Sequence, residues 1–443
     1  MSDYMFMLES HLSADQSHVI TLVQTAASEA GVNVFLTGGA LRDMLAGFPI
    51  LDLDFTVEGS GLKLAKSIAA KSGAEILEED ETRKGAKLRF PSGVLATISM
   101  ARQEKFSKPG SKPHVQAATI HEDLRGRDFT VNAIALSLNA ASRGLLLDPN
   151  NGVGDIAQKE LRTVTNFTLY DDPIRLLRLQ RFKVRLGFTI AERTLAQYAN
   201  AREAGLEQRI TPQALLEELR HISNAQNIAD LVKVLEDEKL LPLFSTSLSG
   251  PHLNMPGLLK LQKAKQMIPQ GGDFRLNNFG LFLNVLTEKL SAAEKAELTK
   301  SLAMDDTVVE QWQKLESRSK KLEKELKSAK LQKPSHLYQV LSKAPGDQVL
   351  FLLLRSPERL VQDRIRNYLQ KYLPMAQEVG DADVLATGVQ PNTPKFEKAK
   401  AEIIATRLDA RPKKIPPPTP PVEAPAPTPT PLMPTHAFAR KSG

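Results

Sequence analysis

The spacing of apolar positions changes character along the chain. Residues 11–30 carry an amphipathic helical pattern that stops at Gly31. From Val32 to about Asp148, short apolar runs with strand spacing alternate with helical ones. Lys87-Leu88-Arg89-Phe90 and Val94-Leu95-Ala96-Thr97-Ile98 predict a hairpin turning at Pro91-Ser92-Gly93. Residues 103–116, rich in Lys, Ser, Pro and Gly, predict a mobile loop. From Asp172 to about Leu373 the pattern is almost wholly helical, with helices expected over 212–221 and 228–238 and a long basic one over 308–330. Residues 415–434 are rich in Pro, Thr and Ala, a composition that predicts an unfolded, partly polyproline-II tail. The pattern therefore predicts an α+β chain in five parts: an N-terminal helix (1–31), an α/β region (32–148), two helical regions (149–244 and 245–373) and a Pro-rich, largely disordered tail (374–443).

A chain of 443 residues has room for two or three domains with cores of their own. Its 58 Lys and Arg against 51 Asp and Glu leave a net charge of +7, which favours a polyanionic partner. There is no cysteine, so disulfides, a disulfide-linked partner and thiolate zinc sites are excluded. The N-terminus lacks the basic start and apolar core of a signal peptide, and no apolar run reaches membrane-spanning length. A cytoplasmic protein without a membrane partner is expected.

The candidate chemistry sits in the α/β region. In Leu51-Asp52-Leu53-Asp54-Phe55-Thr56-Val57, strand alternation lets the apolar side chains bury while Asp52 and Asp54 project together on the other face. Two carboxylates so close repel unless a cation lies between them. Hard oxygen ligands suit Mg²⁺, which keeps waters and takes further ligands from phosphates. Just upstream, Gly38-Gly39 opens the helical run Ala40-Leu41-Arg42-Asp43-Met44-Leu45-Ala46-Gly47, and backbone N–H groups at a helix start welcome phosphate. A metal pair beside a phosphate cradle points to phosphoryl or nucleotidyl transfer.

These residues and three later segments resemble one family. The G-G-x-x-R-D-x-L-x-G run followed by D-x-D is similar to the head motif of the tRNA nucleotidyltransferase/poly(A) polymerase family, in its bacterial CCA-adding branch. Glu122-Asp123-Leu124-Arg125-Gly126-Arg127-Asp128-Phe129-Thr130-Val131-Asn132-Ala133 resembles its second motif. Asp148-Pro149 through Asp155, with Arg162 beyond, resembles the third, and Asp171-Asp172-Pro173-Ile174-Arg175-Leu176-Leu177-Arg178-Leu179-Gln180-Arg181-Phe182 the fourth. The likeness covers roughly the N-terminal half and fades after about Phe244.

The resemblance implies a nucleotidyltransferase head with a small mixed sheet, followed by an all-helical neck and body. It implies a two-metal Mg²⁺ site on Asp52 and Asp54, with ATP and CTP as substrates and the tRNA 3′ end as partner. Gly39 and Arg42, with Gly38 in the same turn, would meet the incoming nucleotide. Arg127 would lie on phosphate and Asp128 near the ribose, where Asp128 also reads as a helix N-cap. Where relatives commonly carry an acidic residue on a strand beside the aspartate pair, this chain has Thr97, and the first arginine of the family's usual pair is Gly126.

The fourth motif reads as a helix capped by Asp172, with Pro173 in its first turn and Gly187 at its end. Leu176, Leu177 and Phe182 would pack inward. Asp172 and Arg175, three apart, can lie side by side as an acceptor–donor pair. Adenine and cytosine both show an amino donor beside a ring-nitrogen acceptor, whereas guanine and uracil show a carbonyl beside an N–H. Such a pair accepts A and C and leaves polar groups unpaired against G and U. Arg178 and Arg181 would follow onto phosphate or the neighbouring strand.

Histidines form no adjacent His-Asp pair, so the metal-dependent phosphohydrolase module of some relatives is expected to be absent. Arg318, Lys320, Lys321, Lys324 and Lys327 make a basic run suited to an RNA backbone, although a charge run of this kind is usually a solvated helix face. The leading expectation is template-independent addition of C and A to the tRNA 3′ end. A-adding, CC-adding and poly(A) polymerase activities, or a non-catalytic RNA-binding protein on the same scaffold, stand as alternatives.

Overall fold

A computed structural model describes residues 3–269, 274, 276–391 and 393–410. The chain divides into two compact units, Met1–Glu378 and Val379–Gly443.

Nine short strands lie in the first third: β1 (Asn33–Thr37), β2 (Leu53–Glu58), β3 (Glu75–Asp80), β4 (Gly85–Arg89), β5 (Leu95–Met100), β6 (Arg102–Lys105), β7 (His114–Ala117), β8 (Ala135–Ser137) and β9 (Leu146–Leu147). Seven form one sheet in the order β3-β4-β5-β2-β1-β8-β9. The sheet is mixed, because β2 and β5 run parallel while the other pairs are antiparallel. A parallel pair needs a crossover, supplied by the helix Gly61–Ser72 and the β3–β4 hairpin. Alternation along β2 buries Leu53, Phe55 and Val57 and turns Asp54 to the other face.

Two hydrophobic cores fill the first unit. One joins the sheet to its helices and takes in Leu176, Leu179, Phe182 and Leu186. The other runs from Leu177 to Leu373 through the helical part. The helix Arg175–Leu186 therefore lays most of its apolar face on the sheet's core and gives Leu177 to the helical one. Each fully buried leucine on it contributes about 1.5–3 kcal/mol relative to exposure, so the helix is pinned to both sides.

Several elements differ from the sequence expectation. The first long helix starts at Ala14 because Ser13 and Gln16 cap each other, and a separate helix Asp3–His11 precedes it with Met5 and Leu8 buried. Leu51 lies ahead of β2 and is exposed. The two ends of the expected loop at 103–116 are instead strands β6 and β7, whose register pairs Arg102 with Ala117 and Lys105 with His114, while 106–113 connect them as a loop. These strands are polar and carry no apolar alternation. Glu104 ties them down by binding Arg83 and Arg102.

The expected helix start at Asp172 lies three residues late, at Arg175. Asp172 is extended, as a residue before proline prefers, and it ends the short helix Thr168–Asp171. The long basic helix is broken at Lys314 into Asp306–Gln313 and Leu315–Leu326, a break that buries both Trp312 and Leu315. The Pro-rich tail was expected from 374, but helices occupy Leu373–Gln377, Asp381–Leu385 and Pro394–Asp409. The last is capped by Thr393, starts on Pro394 and buries Phe396 and Leu408, which a proline-rich coil does not do. Residues 415–434 lie outside the described residues. Among the described residues no helix is long and apolar enough to cross a membrane.

Candidate active site

β1 ends at Thr37, and Gly38 turns the chain with φ +64° into the helix Gly39–Leu45. That left-handed backbone favours glycine, and space does too. A Cβ on Gly38 would lie 3.1 Å from Arg127 Nη1, and one on Gly39 would lie 3.4 Å from Asp54 Oδ2. The Gly-Gly turn thus backs directly onto the Asp54 carboxylate. Asp52 sits on the exposed approach to β2 and Asp54 inside it.

Both carboxyls are raised above their ordinary values. Loss of hydration in the cleft is the largest cause for Asp52, opposed by the positive charges of Lys87 and Arg185. For Asp54 desolvation comes first and the Asp52 charge second, opposed by Arg127, Arg42 and a hydrogen bond from the Thr97 hydroxyl. Thr97 stands opposite Asp54 in the parallel β2–β5 register, so the position the family commonly fills with an acid does lie beside the pair. Among the described residues no group of three or more His, Cys, Asp or Glu side chains is arranged to hold a metal. Two hard carboxylates that repel one another still fit Mg²⁺, which completes its shell with water and phosphate oxygens.

The arginines around this pair are engaged with protein. Arg42 is 3% exposed. It donates to Asp43 Oδ1 through Nε (2.9 Å) and Nη2 (2.8 Å) and to Asn132 Oδ1 through Nη1 (2.7 Å), and its guanidinium lies 5.1 Å from the Phe182 ring centre. Arg127 donates to Asp123, to the Asn132 carbonyl and to the Thr56 hydroxyl, at 3.0, 3.2 and 3.0 Å. Asp128 does not cap an α-helix, since the chain makes only a short 3₁₀ turn at Thr130–Asn132. Its carboxylate accepts from the Phe129 N–H (2.7 Å), Asn132 Nδ2 (3.0 Å) and Arg178 Nη1 (3.0 Å). Burial alone would raise the Asp128 carboxyl, but Arg178, Arg175 and these donors hold it down at about 2.

On the helix that follows Asp172, Arg175 Nε lies 3.5 Å from Asp172 Oδ2, and Nη1 donates to the Thr168 carbonyl at 3.3 Å. The expected side-by-side pair is thus formed, although Asp172 reaches it from an extended residue. Arg175 Nε is buried and has no hydrogen-bond partner of good geometry. Arg181 makes a two-pronged contact with the buried Glu218, at 2.6 and 3.2 Å. Arg185 donates to Asp43 Oδ2 at 2.7 Å. A chain of polar contacts therefore runs from Arg185 through Asp43, Arg42, Asn132 and Asp128 to Arg178, joining the Gly-Gly turn to the arginine helix. The sequence reading assigned no role to Asp43, Asn132 or Arg185. The first two stand inside the quoted motifs, while Arg185 has only its helical spacing, four after Arg181, as a signal.

Residues 34–162 match the model of the Poly A polymerase head domain. An A-adding tRNA nucleotidyltransferase of Aquifex aeolicus is 28% identical over 344 residues, 77% of this chain and 40% of that protein. Over residues 34–162 the chain is thus similar to the Poly A polymerase head domain, and over a longer stretch to a tRNA nucleotidyltransferase. A second relative, a CC-adding tRNA nucleotidyltransferase of Deinococcus radiodurans, is 37% identical over 166 residues, 38% of this chain and 44% of that protein. The chain thus spans less than half the length of either relative. An apo structure of a CCA-adding enzyme shares the fold, with a TM-score of 0.55 at 23% identity over 94% of this chain and 96% of that one. Within the family framework, Gly126 departs from the usual arginine without steric need. A Cβ there would meet only ordinary contacts, at 3.5 and 3.7 Å.

Proposed function

We propose that the protein is a template-independent nucleotidyltransferase that adds C, A or both to the 3′ end of tRNA. The observation that carries this reading is the Asp52–Asp54 pair backed by the Gly38–Gly39 turn, whose helix is linked through Arg42, Asn132 and Asp128 to the helix bearing Arg175. Asp52 and Asp54 would hold Mg²⁺, which when bound neutralises charge on the phosphates and favours the attacking oxygen. The Gly38–Gly39 backbone would lie against the triphosphate of ATP or CTP, since a side chain there would fill the space beside Asp54. Arg42 and Arg127 act from behind the turn. Their charges offset that of Asp54, and charge neutralisation and positioning supply much of the catalysis in such transfers.

Asp172 and Arg175 would read the base. The carboxylate accepts from the exocyclic amino group of A or C, and the guanidinium donates to the neighbouring ring nitrogen. Arg175 Nε, buried without a good partner, has donor capacity that a base could use. Asp128 and Arg178, held by one another, would support that helix rather than contact phosphate first.

The test is extension of tRNA transcripts ending before the CCA, after C, and after CC, with CTP, ATP or both, resolved at single-nucleotide length. Growth to CCA assigns full addition; growth by CC alone, or by a terminal A alone, assigns the partial activities carried in the names of the two relatives. Wild type that extends nothing, matching Asp52→Ala/Asp54→Ala, would leave a non-catalytic RNA-binding protein. In the same assay Arg175→Ala should admit UTP and GTP, and unchanged selectivity would sink the base-reading assignment.

A further inference from the structure

The sheet order gives the cleft a direction. β1 ends in the Gly-Gly turn, β2 carries Asp54, and beyond it lie β5 and then β4. Directly paired residues on neighbouring strands project to the same face. Asp54 pairs with Thr97 and Thr97 with Lys87, so the three form one row across three strands on the face opposite Phe55, Ile98 and Leu88. Lys87 is half-buried at the far end of this row, and its positive charge acts on Asp52. No ion pair holds its ammonium among the described residues; its next register neighbour, Glu78, is exposed and makes none with it. Lys87 also acts on His221 of the helix Pro212–Asn224, together with Arg181, Glu218 and Arg178.

The groups that the head contributes to the incoming nucleotide lie on the β1 and β8 side of Asp54. The Gly-Gly turn follows β1, Asn132 and Asp128 precede β8, and Arg178 and Arg175 reach Asp128 from the helix. In nucleotidyl transfer the attacking and leaving oxygens stand roughly in line on opposite sides of phosphorus. With the departing pyrophosphate at the Gly-Gly turn, the RNA 3′-hydroxyl must enter from the opposite side, over β5 and β4. We infer that Lys87 binds the last internucleotide phosphate of the RNA being extended, and so places the 3′-hydroxyl against Asp54 across Thr97. A half-buried lysine that makes no ion pair among the described residues, on the same face of the sheet as Asp54, is suited to this as a point charge. This inference rests on the transfer reading given above, but its primary test needs no catalysis.

The full chain is titrated with a tRNA transcript ending before the CCA, in Mg²⁺ without nucleotide, over a range of salt. Lys87→Ala should weaken binding about tenfold and lower the salt slope by about one. Lys87→Arg should restore both. A transcript shortened to a blunt acceptor end should bind wild type and variant alike, because the phosphate in question is then missing. ATP binding should be unchanged within about twofold in both variants, and in extension assays the loss should fall on the KM for tRNA. Lys87→Gln, which keeps the side chain's length, repeats the titration if the alanine variant does not fold. Unchanged tRNA affinity and slope, equal loss on the blunt transcript, or a loss confined to ATP would each overturn the assignment. A wild-type chain that binds tRNA through Lys87 yet never extends it would refute the transfer reading and leave the phosphate contact standing.

Discussion

In the cleft, charged side chains meet partners from distant parts of the chain. Arg42 reaches Asn132 across 90 residues, Arg178 reaches Asp128 across 50, and Arg185 reaches Asp43 across 142. The carboxylates they meet are buried. Between Asp306 and Asn367 the same residue types mostly pair one turn away on exposed helix faces, as Lys314 does with Glu310, Lys327 with Glu323 and Arg366 with Asp363. Exposed pairs of this kind are worth roughly 0–1 kcal/mol, whereas breaking a buried pair costs about 3–5 kcal/mol. Charge in the cleft therefore fixes geometry, while charge on the body helices mostly solvates them. A positive net charge says little until its partners are known.

The sharpest break in that comparison is at the carboxylate that everything else surrounds. Asp54→Asn should cut nucleotide addition by on the order of a thousandfold or more, since it removes a proposed metal ligand without changing shape. It should not cost stability. A carboxyl raised in the fold is one whose charge the folded state disfavours, so rising pH through that range subtracts stability, and the amide escapes the penalty. A urea unfolding midpoint equal to or above that of wild type, with activity lost, is the expected pattern. A large drop in the midpoint would show that Asp54 holds the fold instead.

Asp128 should behave in the opposite sense. Its carboxyl is held at about 2, against an ordinary 3.8, by Arg178, Arg175 and two N–H donors, which outweigh its burial. A depressed carboxyl gives stability that is fully present above the unfolded value and is lost as pH falls through the folded one. The contribution is roughly 2–3 kcal/mol, declining between about pH 4 and pH 2. Unfolding free energy followed from pH 5 to pH 2 should show this loss in wild type and a flatter curve in Asp128→Asn, which is less stable at pH 7. Parallel curves would mean that the Arg178 contact contributes little.

What could be read from the sequence follows the same division between near and far. The Gly38–Gly39 turn and the spacing of Asp172 and Arg175 are local patterns, fixed by backbone geometry within a few residues, and each is formed. Of the expected Asp52–Asp54 strand alternation, only Asp54 lies within β2. The partners of Arg42 and Arg185, and the row joining Asp54 to Lys87, depend on which strands pair and in which direction. No local signal encodes that β5 lies between β2 and β4, because the parallel pairing forms only after a long crossover. The β6–β7 hairpin was hidden for another reason. Its residues are polar, and it is held by ladder hydrogen bonds and Glu104 rather than by an apolar face. The break at Lys314 has neither Gly nor Pro to mark it; burial of Trp312 and Leu315 decides it.

The basic run on the body helices gives the smallest effect and the finest test of the comparison. Of its five residues, Arg318 lies 3.9 Å from Asp347, and Lys327 is within reach of Glu323 and Glu358. Lys320, Lys321 and Lys324 are exposed and make no ion pair among the described residues. A cation already beside a carboxylate releases fewer counterions when a phosphate arrives, because its charge is partly neutralised beforehand. If this face meets RNA, Lys320→Ala, Lys321→Ala and Lys324→Ala together should lower the salt slope of tRNA binding by up to about three, each costing only a few-fold in affinity. Arg318→Ala and Lys327→Ala should each change it by less than one. Unlike Lys87→Ala, the triple variant should lose as much on a blunt-ended tRNA as on the intact transcript, since the body would hold the backbone far from the 3′ end. A slope that does not move would return the whole run to a solvated helix face.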